Sequence, residues 1–176
     1  MKLLKRFLIP RILVSLYYLI RFGAAVSPRA EVDLTRNIRM GKGCKVSSFA
    51  KIKASDGPLR LGRRCEFGTG SWISAGAQGI TLGDNVVCGP LVVISGNNYV
   101  FDTLGVHVSD QGATSKGVRI GNNVWIGAHC TILDGSVLGD DVVVAAHSLV
   151  NRSFPAGAVV RGNPAEVFRM RTREED

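Results

Sequence analysis

The chain has 176 residues, a net charge of +8 and a hydrophobic content of 45%. This length suits one domain with a substantial core, and no composition shift indicates a second one. The positive charge favours anionic partners. However, the basic residues are not interleaved with aromatic residues as in nucleic-acid-binding modules, so nucleic acid is not an expected partner.

The N-terminal segment, residues 1–25, is basic and apolar. Its longest uncharged run, residues 12–20, falls far short of the roughly 20 residues that span a bilayer. We predict an amphipathic helix within residues 1–25 that covers the open end of the following domain, lies on a membrane surface, or does both. A cleaved signal peptide is a third interpretation because residues 23–25 are small, although Arg21 separates them from the apolar run.

Aliphatic residues then recur every six positions. This period suits neither an amphipathic helix nor an alternating strand. It predicts a solenoid in which three hexads make one coil of roughly 18 residues and inward side chains stack between roughly five to six coils. The earlier recurring positions, which include interruptions, are Val26, Val32, Ile38, Met40, Val46, Ile52, Leu61, Phe67, Ile73, Leu82, Cys88 and Ile94. The later ones are spaced by six without interruption and are Ile120, Ile126, Ile132, Leu138, Val144 and Val150.

The repeat is absent between Ile94 and Ile120. This polar, glycine-bearing stretch is too long for a corner of a solenoid. Long excursions from a rigid scaffold are usually functional or disordered. We therefore expect a functional loop over residues 95–119.

The repeat also ends after Val150. Pro155 and Pro164 interrupt strand pairing, and residues 165–173 are predicted to form a short helix that closes the far end. The predicted domain therefore covers residues 26–170, and residues 171–176 form a tail.

Four cysteines lack the spacing of metal ligands. Cys88 and Cys130 fall on inward positions of the repeat, and Cys65 falls on an inward position that takes small residues. We predict buried apolar thiols, which favour a reducing compartment. The four are Cys44, Cys65, Cys88 and Cys130.

Residues 120–169, IGNNVWIGAHCTILDGSVLGDDVVVAAHSLVNRSFPAGAVVRGNPAEVFR, resemble the end of hexapeptide-repeat acyltransferases, which include maltose, galactoside, serine and polysaccharide O-acetyltransferases. The preceding DQGATSKGVRIG is similar to the loop exit of the branch that acetylates surface polysaccharides. The resemblance covers about residues 26–170. It implies an all-β fold, a left-handed parallel β-helix with a short helix at each end and one long loop, and a homotrimer with acyl-CoA bound between subunits.

The resemblance further implies an acetyl-CoA-dependent O-acetyltransferase that modifies a sugar hydroxyl of a surface polysaccharide or glycolipid precursor. It would work in the cytoplasm, in one interpretation at the inner face of the membrane. The alternative is an inactive solenoid that binds a glycan or assembles with another subunit. By the same resemblance, Trp125 would pack beside the pantetheine arm of CoA, Ala128 and Ala146 would offer backbone groups to that arm, and Arg152, Arg161 and Arg169 would meet the CoA phosphates.

Acyl transfer to a hydroxyl needs a base, which is usually histidine. The family's histidine position is occupied by Tyr99, and His107 lies later in the loop. Three interpretations remain open. In the first, His107 is the base. In the second, Tyr99 or His147 takes part, or catalysis relies mostly on positioning. In the third, the protein has lost activity.

An asparagine that helps to bind the acceptor in many sugar acetyltransferases is replaced here by Thr69 and Ser71. With Asn97 and Asn98 at the start of the loop, they are the candidate acceptor ligands. Some related trimers bind zinc through three histidines and hydrate carbon dioxide. The histidines here, at positions 107, 129 and 147, do not show that ligand motif, so no metal is expected.

Overall fold

Short parallel strands and tight corners alternate along the computed structural model, which describes residues 9–172. Successive strands join three different sheets in turn, so the chain winds around a three-sided prism, as in a parallel β-helix. We call its sides faces A, B and C. Face A contains β1 (Ala25–Val26), β4 (Lys45–Val46), β7 (Glu66–Phe67), β10 (Val87–Cys88), β15 (Trp125–Ile126), β18 (Val143–Val144), β20 (Ala158–Gly162) and β21 (Ala165–Met170).

The other two faces complete each coil. Face B contains β2 (Glu31–Val32), β5 (Lys51–Lys53), β8 (Trp72–Ser74), β11 (Val93–Ser95), β16 (Thr131–Ile132) and β19 (Leu149–Val150). Face C contains β3 (Ile38–Met40), β6 (Leu59–Leu61), β9 (Ile80–Leu82), β14 (Val118–Ile120) and β17 (Val137–Leu138), and Phe154 extends it by a bridge to Leu138.

The core is the stack of inward side chains predicted by the repeat. On face B, for example, Ile52, Ile73, Ile94 and Ile132 are register partners in successive coils, and all four are completely buried. Every other position of the predicted repeat is buried as well. The six-residue pattern is therefore confirmed as the basis of the fold.

The predicted coil length is correct only near the C-terminus. Ile126 and Val144 are register partners separated by three hexads. Val46 and Phe67 are register partners separated by three and a half hexads. The early coils are longer because their strands on face C are three residues long and bury both end residues, as Leu59 and Leu61 do. The interruptions of the six-residue repeat in the sequence correspond to these longer strands on face C.

All four cysteines are buried and free, as the sequence predicted. Burial, with a smaller contribution from Cys130, raises the pKa of the Cys88 thiol to about 12. Burial also raises the pKa of Cys130. Cys88 and Cys130 therefore act as core side chains, because a protonated, inaccessible thiol is a poor nucleophile.

The N-terminal helix α1 (Arg11–Phe22) packs on the first coil and ends at Gly23, which has left-handed backbone angles. Tyr18 is its buried anchor, and its hydroxyl donates to the Asp33 carbonyl over 2.6 Å. This packing matches the predicted cover for the open end. Residues 1–8 of the predicted segment lie outside the described residues, and within 9–172 no helix has the length and apolarity to cross a membrane.

The helix predicted for residues 165–173 is wrong. Ala165–Met170 instead forms strand β21, which pairs antiparallel with β20. The reason is that β20 is the last parallel strand of face A, and a helix would leave its outer edge unpaired. Residue 173 lies beyond the described range.

The predicted loop leaves the corner between faces B and C, since Ser95 still belongs to β11 and Val118 already belongs to β14. Its base is an antiparallel hairpin of β12 (Asn98–Tyr99) and β13 (Ala113–Thr114), and its tip contains a short 3-10 helix, Val108–Asp110. Residues 101–110 are all exposed.

Candidate active site

An apolar row runs along the outside of face A. Val87, Trp125 and Val143 are register partners on adjacent strands, and Val159 continues the row on β20. The Trp125 side chain is 56% exposed. Arg169 pairs with Val159 from β21 and so adds a cation at the end of the row. The outside of face A therefore carries an apolar row that ends in a positive charge.

The corner between faces A and B offers unused backbone donors beside this row. Ala128 and Ala146 occupy equivalent positions one coil apart, and a Cβ on Gly127 would lie 2.6 Å from the Ala146 nitrogen. Within the described residues, the N–H groups of Ala128 and Ala146 donate to no acceptor of the chain. Because both side chains are methyl groups, a ligand can approach these donors closely.

Two histidines flank the alanines on the same corner. The rings of His129 and His147 stack with centroids 4.8 Å apart and planes 7° apart. Both residues have left-handed backbone angles, with φ values of 58° and 62°, and both are exposed. This confirms the outward corner position inferred from the sequence.

The loop tip holds His107 in a short hydrogen-bonded chain. Its Nδ1 lies 2.8 Å from the Ser109 hydroxyl, which in turn donates to the Asp110 carboxylate over 3.3 Å. The Ser109 amide also donates to Nδ1 over 3.3 Å. The ring is therefore held by its Nδ1 edge, and Nε2 takes no part in these hydrogen bonds.

Gln111 fixes the segment that precedes this histidine. Its side chain accepts from the Thr103 amide at 2.9 Å and donates to the carbonyls of Thr103 and Val106, each at 3.0 Å. Sequence reasoning did not assign Gln111, Ser109 or Asp110. Ser109 and Asp110 could have been recognised from the sequence, because they lie only two and three positions after His107.

Tyr99, Asn97 and Asn98 lie at the base of the loop. Tyr99 is 61% exposed and pairs with Ala113 in the hairpin. The Ser95 hydroxyl donates to the Asn97 carbonyl at 3.0 Å, and Asn98 is exposed. The structure therefore groups Tyr99 with the two candidate acceptor ligands and places His107 at the tip.

The assignment of Ser71 to acceptor binding is wrong. Ser71 is 0% exposed, and its hydroxyl donates inward to the Gly68 carbonyl at 2.8 Å, with the Gly89 carbonyl at 3.2 Å. Its position four residues after Phe67 is the small inward position of the repeat, so the sequence contained this signal. Thr69 is exposed nearby and stays a candidate.

The candidate residues occupy two different corners of one prism. Trp125, Ala128, Ala146 and Arg169 lie on face A or at its corner with face B, whereas the loop starts at the corner between faces B and C. Arg152 follows β19 and lies at the loop's corner. Arg161 is on face A, where its guanidinium carbon is 3.7 Å from the centre of the Phe168 ring. One chain therefore does not bring the three arginines together.

Two family models match the repeat. The bacterial transferase hexapeptide (six repeats) model matches residues 117–152, and the hexapeptide repeat of succinyl-transferase model matches residues 58–100. Within residues 9–172, no group of three His, Cys, Asp or Glu side chains is arranged to hold a metal ion.

Galactoside O-acetyltransferase of Escherichia coli (strain K12) is 38% identical over 93 residues, which cover 51% of this chain and 43% of that protein. The chain spans about half the length of two curated relatives, 49% of one and 43% of the other. AntD, an N-acyltransferase from Bacillus cereus solved with dTDP and 3-hydroxybutyryl-CoA, has the same fold. Its TM-score is 0.76 at 18% identity, with 86% of this chain and 82% of AntD covered.

WcaF of Escherichia coli (strain K12), named for acetyl transfer in colanic acid biosynthesis, is 33% identical over 138 residues. This match covers 78% of this chain and 71% of WcaF. Together with the two hexapeptide models on its coils, it establishes that the chain belongs to the family of hexapeptide-repeat acetyltransferases.

Proposed function

We propose that this protein transfers the acetyl group of acetyl-CoA to a sugar hydroxyl of a surface polysaccharide or glycolipid precursor. The observation that carries the proposal is the pair of unused N–H groups on Ala128 and Ala146, one coil apart and beside the exposed Trp125. This arrangement suits a ligand that is an extended chain with amide carbonyls, as pantetheine is. The similarity to galactoside O-acetyltransferase and WcaF supports a sugar acceptor.

The site is proposed to form between subunits of a homotrimer. We call Trp125, Ala128, Ala146 and Arg169 the donor wall. Within one chain, the whole of face B separates this donor wall from the loop. In a trimer, the donor wall of one subunit and the loop of its neighbour would together form the complete site. Arg152 would then join the donor site from the loop's side, while Arg169 belongs to the wall.

In the proposed reaction, the imidazole of His107 removes the proton of the acceptor hydroxyl as the hydroxyl oxygen attacks the thioester carbonyl. The carbon–sulfur bond breaks, the imidazolium returns the proton to the departing sulfur, and free CoA and an acetyl ester result. Ser109 orients the ring through its amide and hydroxyl, and the Asp110 carboxylate in turn accepts from that hydroxyl. Acetyl-CoA is the donor, and no metal takes part.

The direct test mixes purified protein with acetyl-CoA and neutral or anionic sugar acceptors while thiol release is followed. Binding of CoA is measured separately by calorimetry. Turnover with an acceptor is expected. Absence of CoA binding contradicts the proposal, whereas CoA binding without turnover on any acceptor favours the alternative of an inactive glycan-binding or assembly subunit.

Replacing Trp125 with alanine should raise KM for acetyl-CoA at least about tenfold, equivalent to about 1.4 kcal/mol, because an indole covers a large apolar area. The KM for the acceptor should stay within about twofold, a change small on the same scale. Steady-state kinetics with each substrate varied in turn measures both. A change in acceptor KM alone would assign Trp125 to the other substrate.

The proposed location is the cytoplasm, with peripheral contact at the inner face of the membrane. Helix α1 keeps six apolar side chains exposed over about 160° of its circumference. Arg11 and Arg21 lie near its two ends, and three further basic residues precede it in the sequence. Such helices bind at the surface of anionic bilayers. The six are Ile12, Leu13, Leu16, Tyr17, Leu19 and Ile20.

Replacing Ile20 with glutamate should abolish co-sedimentation with vesicles that contain phosphatidylglycerol, because the change puts a carboxylate in the middle of this apolar face. Ile20 is 77% exposed, so folding should be unaffected. Leu34→Glu, at an exposed apolar position off the helix, is the matched control. Equal vesicle binding by the wild type and Ile20→Glu would contradict the membrane contact.

A further inference from the structure

Face B presents an exposed indole with two ammonium groups over its ring. The Nζ atoms of Lys51 and Lys53 lie 5.6 Å and 5.4 Å from the centre of the Trp72 ring. Both lysines belong to β5, and Trp72 lies on the adjacent strand β8, where it is the register partner of Lys51. Trp72 is 45% exposed. The group therefore combines an aromatic surface with two cations in one accessible place.

The positive charge of this group is only partly compensated. The nearest Glu31 oxygen is 3.8 Å from Lys51, a long contact for an ion pair. The Asp33 carboxylate instead accepts from the Ala54 amide and the Ser55 hydroxyl. Within residues 9–172, Lys53 has no carboxylate partner within 4.0 Å. The surface thus has an excess of positive charge to offer to an anion.

The position of the group relates it to the loop. Lys53, Ser74 and Ser95 are register partners on three adjacent strands, and Ser95 bonds to Asn97 at the loop's base. Two strand spacings separate Lys53 from Ser95, about 10 Å. This separation is comparable with the length of one or two pyranose rings. A sugar with its reacting hydroxyl near the loop would reach the two lysines with its far end.

We propose that Trp72, Lys51 and Lys53 form an acceptor subsite for a sugar that carries a phosphate. The indole packs against the C–H face of a pyranose ring by dispersion, and the ammonium groups bind the phosphate oxygens as point charges. The ligand class is therefore a sugar phosphate or diphosphate, in which the phosphate joins the sugar to a nucleotide or to a lipid. This inference rests on the proposed function, since it names the acceptor of that same reaction.

Calorimetric titration tests the subsite without needing turnover. The probes are UDP-galactose, galactosyl diphosphate linked to a short prenyl chain, and methyl β-galactoside, each added to the CoA-loaded protein. At least one diphosphate probe should bind about tenfold or more tightly than the neutral galactoside. Preference for UDP-galactose indicates a nucleotide-linked acceptor, and preference for the prenyl probe indicates a lipid-linked one. Equal affinity for all three probes overturns the proposal.

Variants locate the binding on face B. Lys53→Gln and Trp72→Ala should each weaken binding of the preferred diphosphate about tenfold and leave CoA affinity unchanged. Arg39→Gln is the matched control, because it removes one exposed positive charge from face C. An equal loss in Arg39→Gln would mean that only the net charge matters, which contradicts a built site.

Two further readouts separate this proposal from its alternatives. If Trp72→Ala changes the oligomeric size in gel filtration while Lys53→Gln binds the diphosphate normally, the indole is a packing residue between subunits and the subsite is refuted. If diphosphate binding depends on the lysines but no acetyl transfer occurs, the subsite stands and the proposed catalytic function fails. Loss of CoA binding in the wild type would contradict the function alone.

Discussion

Replacing His107 with alanine is expected to lower kcat for acetyl transfer about 10²–10⁴-fold, the range that a positioned general base contributes. The reason is that His107 is the only histidine of the loop, and Ser109 holds its ring in place. KM for acetyl-CoA should change little, since the donor wall lies on another corner. Stopped assays with acetyl-CoA and the accepted sugar measure both constants.

His129→Ala is the matched control, because it removes an exposed imidazole that lies at the corner of faces A and B. It should retain most of the activity. Tyr99→Phe tests the interpretation in which Tyr99 takes part in catalysis. If His107→Ala keeps full activity while Tyr99→Phe loses it, the proton acceptor is at the base of the loop, in the position where the family has its histidine.

Replacing Ile132 with alanine should lower the free energy of unfolding by about 2–5 kcal/mol, the cost of a cavity in a closely packed core. Ile132 is completely buried between Ile94 and Val150, its partners in the neighbouring coils. A coil cannot close the gap without moving both of its neighbours. Urea unfolding followed by circular dichroism measures the loss.

Val137→Ala provides the comparison, since Val137 is outward on face C and 36% exposed. It should cost less than about 1 kcal/mol. Equal losses in the two variants would contradict the stacked core. A loss in Ile132→Ala accompanied by a lower denaturant slope would instead indicate that the coils unfold separately, as weakly coupled repeats can.

The sequence predicted the inward positions because one physical requirement, a narrow prism filled by stacked side chains, repeats at every coil. It did not predict the outward neighbours. Lys51 meets Trp72 because that coil is three and a half hexads long, whereas the C-terminal repeat suggested three. An error of half a hexad in the coil length places a side chain toward a different corner of the prism. The contact between Trp72 and the two lysines therefore could not be predicted without the strand register, although each residue can be read from the sequence.

Two other errors have local causes. The prediction for Ser71 rests on its position in a family motif, although its place in the repeat marks it as inward. The helix predicted for residues 165–173 rests on the prolines that precede it, but the unpaired edge of β20 determines the conformation of Ala165–Met170. Edge pairing is a property of the completed sheet, which local sequence does not contain.

The structures at the two ends of face A also restrict how copies of the molecule associate. An unprotected last coil would be a template on which the first coil of another molecule adds, and repeated addition would produce a fibre. With α1 packed against β1 and β21 paired to β20, both ends of face A are closed to such addition. Association of copies is then left to the long sides of the prism, where the proposed donor and acceptor surfaces lie.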